Sequence, residues 1–419
     1  MTETGERLHA HVAALYPILR SITGPGLRAT LDYIGAHIPL RQTDVLSGTR
    51  VLDWEVPPEW RLRSAWVETL HGRRVIDAAR HSLHILNYSA PFEGVVTRTE
   101  LDAHLHSLPE QPSLIPYRTS YYRRDWGFCL SHDARRALAE DRYRVHIDAT
   151  LAHGRLSYGE CVLPGAEDGE VLFSAHCCHP SLANDNLSSI AVAIELARRL
   201  AARPRRLTYR FLFAPGTIGA ICWLAANRDA PVRIRHGVVL TCLGDPAPPT
   251  YKQSRSGNAL IDRYAAHVLH GARILPFSPT GYDERQFGSP GFDLPMGCLM
   301  RSPGGTFPQY HTSADNLDFV RPEALADSLR VLTEIVDLIE RDAVFRNTAP
   351  YGEPQLGRRG LYDGDADRLA LLWVLNQSDG THSLLDIADR SGCTFADLAR
   401  AAAAARAAGL LVRACASAA

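Results

Sequence analysis

The segment His176-Cys177-Cys178-His179-Pro180-Ser181-Leu182-Ala183-Asn184-Asp185-Asn186 concentrates imidazoles, thiols and a carboxylate directly after the apolar run Val171-Leu172-Phe173. A hydrolytic zinc site needs such ligands on rigid strand ends, so that the ion can hold a water and polarise a carbonyl without its ligands moving. His176 ends the apolar run, and Asp185 sits in a short polar stretch ahead of a helical pattern. A further histidine, His311, lies in Tyr310-His311-Thr312-Ser313-Ala314-Asp315-Asn316. Two histidines plus a carboxylate form a recurring zinc set. Cys177 and Cys178 read as small core residues and not as ligands or nucleophiles, since no CxxC pairing surrounds them. Asn184-Asp185-Asn186 also has the composition of an Asx turn capping the next helix, which is compatible with a ligand loop.

The elements that must position these residues follow from periodicity. Ile190, Ala193, Ile194 and Ala197 repeat with helical spacing after the motif. The run Tyr209-Arg210-Phe211-Leu212-Phe213 reads as a strand, a helix follows from Ile218, and a further strand covers 237–242. Apolar runs alternating with helices predict an α/β domain over 171–336 with a mostly parallel central sheet. Ligand chemistry in such sheets sits at the carboxyl ends of strands, where His176 falls. Upstream, 8–37 reads as two helices with a turn at Gly24-Pro25-Gly26. The tryptophans, tyrosines and prolines of 51–131 read as short strands of a small β-rich domain. Residues 143–163 suggest a long hairpin leading back to another domain. Residues 345–359 have the composition of a linker, and helical runs at 367–375, 383–390 and 394–408 with a closing apolar run predict a winged helix.

Composition removes several classes of function. The 419 residues are 46% hydrophobic and 22% charged, ordinary for a protein with a sizeable core, and the formal net charge of −1 offers no field for nucleic acid or anionic membrane. From 356 to 419 seven arginines face seven aspartates, so the tail is expected to meet protein and not DNA. No stretch approaches the ~20 apolar residues of a membrane span, and the N-terminus has no signal-like segment, so a cytoplasmic protein is expected. The nine cysteines are scattered and read as reduced, mostly buried thiols. Lys252 is the single lysine of the chain. With Arg255 it forms a basic pair suited to a substrate carboxylate or phosphate, the plainer alternative being surface charge.

The order strand-His176, then Ala183-Asn184-Asp185-Asn186-Leu187-Ser188, then strand plus Thr217-Ile218-Gly219, then Tyr310-His311-Thr312-Ser313-Ala314-Asp315 resembles the zinc aminopeptidase and glutaminyl cyclase superfamily. Arg20-Ser21-Ile22-Thr23-Gly24, Val51-Leu52-Asp53-Trp54-Glu55-Val56-Pro57, Leu108-Pro109-Glu110-Gln111-Pro112, Trp126-Gly127-Phe128-Cys129-Leu130-Ser131-His132, His179-Pro180-Ser181 and Asp283-Glu284-Arg285-Gln286 look like signatures of its bacterial aminopeptidase-like proteins. The resemblance spans almost the whole chain. It implies a zinc-aminopeptidase-like, mostly parallel sheet with helices on both faces. That discontinuous α/β domain would cover 1–50 and 135–345, with a β-rich insert over 51–134 and a winged helix over 356–419. It also implies His176 as the strand-end ligand, Asp185 as the metal-bridging aspartate and His311 as the last histidine ligand, with His179 an alternative first ligand.

The departures are informative. Where the family carries a Glu-Glu pair, one the base and one a ligand, this chain reads Gly216-Thr217, and Thr241 replaces a ligand aspartate unless Asp245 swings in. A single zinc ion is therefore expected. Glu284 is the substitute base, its plainer alternative a salt bridge within the loop, and Asp283 is a ligand or orienting group. Tyr310, beside His311, is expected at the substrate. The resulting function is hydrolysis of an amide in a small peptide-like or amino-sugar-like molecule. The alternatives are acyl transfer or cyclisation on the same scaffold, or a degenerate scaffold protein, in each case as a homo-oligomer or monomer.

Overall fold

The computed structural model describes residues 2–228, 233–270, 273–362 and 366–414. The chain forms two compact units, Met1–Leu332 and Thr333–Ala419. Within the first unit an eight-stranded sheet runs in the order Arg41–Leu46, Arg155–Leu163, Thr208–Ala214, Glu170–His176, Ile234–Leu240, Met296–Met300, Thr250–Lys252, Ile274–Leu275. Thr208–Ala214, Glu170–His176, Ile234–Leu240 and Met296–Met300 are mutually parallel, and antiparallel strands flank them on both sides. Glu170–His176 lies between two parallel neighbours, which explains why its sequence is continuously apolar and not alternating. Its last residue is His176, so the chain leaves the sheet at the carboxyl edge where the histidine stands.

The helix Ser189–Ala201 packs against this strand and its neighbours, with Ile190, Ala193, Ile194 and Ala197 buried as their spacing predicts. Thr2–Leu15 and Pro25–Gly35 are the two N-terminal helices. Gly24-Pro25-Gly26 does not form the turn between them. Gly24 is the N-cap at φ 97° and Pro25 opens the second helix, where a missing N–H costs nothing.

The β-rich insert is a four-stranded antiparallel sheet in the order Arg74–Asp77, Glu59–Thr69, Arg142–Ala152, Phe92–Thr97. Its strand Arg142–Ala152 lies beyond residue 134, so the small sheet extends further along the chain than composition indicates. Residues 143–163, expected as a hairpin, are two consecutive strands that pair in different sheets: Arg142–Ala152 belongs to the small sheet and Arg155–Leu163 to the large one, so this is the passage back without a hairpin.

The second unit contains helices Arg368–Gln377, Leu384–Ser391 and Phe395–Ala407, each started by a side-chain cap from Asp367, Ser383 or Thr394. The start of the stretch 345–359, read from composition as linker, is instead part of Val344–Asn347, the central strand of a small sheet with Asp379–Ser383 and Leu411–Arg413. Of the described cysteines all are buried except the half-buried Cys393, and Cys415 lies outside the described residues. No described helix is long and apolar enough to cross a membrane.

Candidate metal centre

His176, at the strand end, and Asp185, in the turn Ala183–Ser188, are both buried. The imidazole Nε2 of His176 lies 2.9 Å from Asp185 Oδ1. On the other oxygen, Oδ2, stand His179 Nδ1 at 3.3 Å and His311 Nε2 at 3.0 Å. Both histidines that the sequence offers as alternatives for the first ligand therefore meet the same carboxylate. His176, His179 and Asp185 are a group of metal-type donors close enough for one ion.

The turn is held from below. Asp315 accepts the backbone N–H groups of Asn184 at 2.6 Å and Asp185 at 3.0 Å, one on each oxygen. Burial pushes the Asp315 carboxyl up to about 8, against the pull of those amides. Asn186 donates to the Leu240 carbonyl at 3.0 Å and accepts the Cys242 N–H at 3.2 Å, tying the turn to the end of the next strand. Arg20, fully buried, donates through Nε to the His179 carbonyl at 2.9 Å and through Nη1 to the Leu15 carbonyl at 2.7 Å. The walls are aromatic. Tyr310 stacks on His311 with centroids 4.0 Å apart, and Tyr117 meets His179 and His311 edge-on at 5.0 and 5.2 Å.

The electrostatics favour a cation. Burial opposes the charge of Asp185, but His179 and the other imidazoles more than offset it and hold the carboxyl well below its usual range. Burial pulls His176 down to about 4, which favours the neutral imidazole, the form whose ring nitrogen can serve as a ligand. The contacts of 2.9, 3.3 and 3.0 Å are hydrogen-bond distances, and the donor atoms of His176, His179 and Asp185 lie within 4.8 Å of one another. Imidazole nitrogens and a carboxylate oxygen are the donor types that zinc takes. The thiols do not compete: burial pushes Cys178 up to about 11 and Cys177 well above its ordinary value, so both stay protonated.

Other residues expected at the site stand elsewhere. Asp245, a possible ligand by sequence, is taken up by Asn184 Nδ2 at 3.0 Å, the Ser302 hydroxyl at 2.9 Å and the Ala247 N–H at 2.9 Å, and it braces the loop. Glu284, expected as the base, is buried in an ion pair with Lys252 and accepts the Tyr282 N–H at 3.2 Å. Lys252 is correspondingly unavailable to substrate, donating also to the carbonyls of Thr280 at 2.8 Å and Ser278 at 3.3 Å. The salt bridge weighed as the plainer alternative for Glu284 is therefore present, but inside the protein. Arg255 pairs with Asp293 at 2.9 Å at the surface, outside the cluster. Asp283 is buried, accepts the Thr217 N–H at 2.7 Å, and is pushed up to about 7 by that burial.

Sequence reasoning missed the roles of Asp315, Asn186, Arg20, Tyr117 and Tyr282. Of these, Asp315 had a signal, four residues after His311 in the same motif. The half-buried Tyr282 packs its ring on His176 with centroids 4.1 Å apart and its hydroxyl 3.7 Å from Cys178 Sγ. A Cβ placed on Gly216 would overlap this phenol.

Comparison with known proteins places these features. Residues 9–342 match the family described as Domain of unknown function (DUF4910), and 343–413 match a winged helix-turn-helix family. A Clostridium acetobutylicum protein named after polysaccharide biosynthesis and an aminopeptidase-like domain is 45% identical over 405 residues, covering 94% of this chain and 93% of that protein. A crystal structure from the same organism, described as a candidate peptidase, superposes with a TM-score of 0.94 at 44% identity over 98% of this chain and 97% of its own. A zinc aminopeptidase from Bacillus subtilis shares the fold, with a TM-score of 0.57 at 15% identity over 80% of this chain and 94% of its own.

Proposed function

Because the chain belongs to the family described as a domain of unknown function (DUF4910), its activity has to be read from its site, and we propose a zinc-dependent amide hydrolase of aminopeptidase type. It would hold one ion and act on the amide of a small peptide-like or amino-acid-conjugated molecule. The observation that carries this reading is the convergence of His176, His179 and His311 on the two oxygens of one buried carboxylate, Asp185. The fold shared with a zinc aminopeptidase supports it.

Asp185 and His311, with His176 or His179, would hold the zinc, and the ion would supply Lewis acidity toward the amide carbonyl. Asp283 is the carboxyl we assign to the proton of the attacking water. It adjoins Tyr282, whose ring packs on His176 with centroids 4.1 Å apart, and burial pushes its carboxyl up to about 7. Tyr310 and Tyr117 flank the imidazoles and would shape the pocket for the acyl part of the substrate. A second reading, acyl transfer to an amine or cyclisation, is favoured by one observation: position 216 is a glycine, so no carboxylate stands there to activate water. The name of the Clostridium acetobutylicum relative points to polysaccharide biosynthesis, which makes N-acylated amino sugars a substrate class to include. We take the protein to work in the cytoplasm.

The test is elemental analysis of purified protein and of an Asp185→Ala/His311→Ala variant, with a screen of aminoacyl amides and N-acyl amino sugars in the presence and absence of an amine acceptor. One zinc per chain, lost in the variant, is expected. Equal metal content in both proteins would remove the proposal.

A further inference from the structure

Position 216 lies beside the cluster, because Ala214 pairs in register with His176 and the chain continues through Pro215. No side chain fits there. The space in which one would begin is filled by the phenol of Tyr282, whose ring is itself wedged against His176. The Gly216 N–H donates to Cys178 Sγ at 3.3 Å, and the same sulfur lies 3.7 Å from the Tyr282 hydroxyl. Glycine at 216 is thus required by space, without any need for positive φ.

The loop that delivers Tyr282 is fixed with unusual care. Glu284 accepts the Tyr282 N–H, Lys252 pairs with Glu284, and the same ammonium holds the Thr280 and Ser278 carbonyls. Burying an ion pair gains little stability over apolar packing, so its effect here is to hold one loop conformation.

We propose that Tyr282 is a catalytic residue whose hydroxyl donates a hydrogen bond to the oxygen of an acyl group bound at the His/Asp cluster. The inference rests on the metal-centre reading above and deepens it. A phenol has an ordinary pKa of ~10 and stays protonated at neutral pH, so Tyr282 offers a donor where a carboxylate at 216 would have offered an acceptor. The site is thereby suited to stabilising a developing oxyanion. The proton of the nucleophile must go to another group, and Tyr282 undergoes no net proton loss.

The test compares zinc-loaded wild type with Tyr282→Phe, which keeps the ring and removes the donor. Zinc content is measured by elemental analysis, and affinity for a leucine-derived boronic acid, a tetrahedral oxyanion mimic, by calorimetry. Unchanged zinc and a Kd raised by about 10-fold or more are expected, the loss of one oxyanion donor being worth up to about 10²–10³ in rate. A second variant, Gly216→Ala, should displace the phenol, lower the melting temperature and weaken the boronate equally, and Tyr282→Ser in that background should restore the melting temperature but not the affinity. Full zinc with unchanged boronate affinity in Tyr282→Phe would overturn this inference alone. Absence of zinc and of boronate binding in wild type would overturn the metal-centre reading and this inference with it.

Discussion

Asp315 shows how much of the centre depends on a residue that touches no ligand atom. Its two oxygens hold the N–H groups of Asn184 and Asp185, and so decide where the Asp185 carboxylate points. Asp315→Ala would leave two buried amides unpaired, at a cost of ~1–3 kcal/mol each. We expect it to lower stability in urea unfolding by about 2–4 kcal/mol and to reduce zinc content although every imidazole is intact. Retention of full zinc would show that the turn keeps its shape without this anchor. Gly216→Glu carries a different expectation from the one its sequence context invites. Restoring a family-type carboxylate alone should not raise amide hydrolysis, since the new side chain collides with Tyr282. A folded, zinc-bound Gly216→Glu protein with increased turnover of aminoacyl amides would refute the steric argument.

At the scale of elements, the short strand Thr250–Lys252 does more than edge the sheet. It pairs with Met296–Met300 and Ile274–Leu275, and its last residue sends the only lysine of the chain into the 278–284 loop. Lys252→Met would strand the buried Glu284 carboxylate, and breaking a buried pair in this way costs ~3–5 kcal/mol. Replacing both partners, as Lys252→Met/Glu284→Leu, should recover most of that loss in chemical denaturation while loosening the loop that carries Tyr282. If the single variant is as stable as wild type, the pair does not hold this loop.

For the whole molecule, buried neutral histidines contribute to acid sensitivity. Burial lowers His11 to about 4, His81 to about 4 and His236 to about 3, each in a different part of the chain. Between ~6.5, the ordinary histidine value, and those lowered values the unfolded chain binds more protons than the folded one. Stability is therefore fully present above that ordinary value and lost as the pH falls through the window. His236, with no hydrogen-bond partner on its buried Nδ1, is the clearest case. His236→Phe should flatten the fall in melting temperature between pH 6.5 and 4, the range set by the unperturbed imidazole near ~6.5 and its depressed values. An unchanged pH profile would exclude His236 from the acid response. The winged-helix unit belongs to this scale as well. With seven arginines against seven aspartates from 356 to 419, we expect it to make protein contacts, within the chain or in a homo-oligomer, and to leave DNA alone. Because Val344–Asn347 is part of its sheet, a truncation must end before that strand. Such a protein should differ from full length in light scattering or thermal unfolding, and salt-sensitive DNA binding by the full chain would contradict the expectation.

Local pattern in the chain was sufficient for the parallel core, for His176 at a strand end and for the helices of the last unit, because periodicity acts over a few positions. The order of His176, Asp185 and His311 was legible for the same reason: each sits in its own short motif. What the chain could not display is which polar groups meet across long separations. Glu284 and Lys252 look equally free in sequence, and only the packing of the 278–284 loop against the sheet edge consumes them in each other. Gly216 reads as a lost side chain, and only the tertiary structure reveals the phenol of Tyr282 in its place. Pairings of this kind are decided by sheet register and by volume, and neither quantity is a property of any one stretch of sequence.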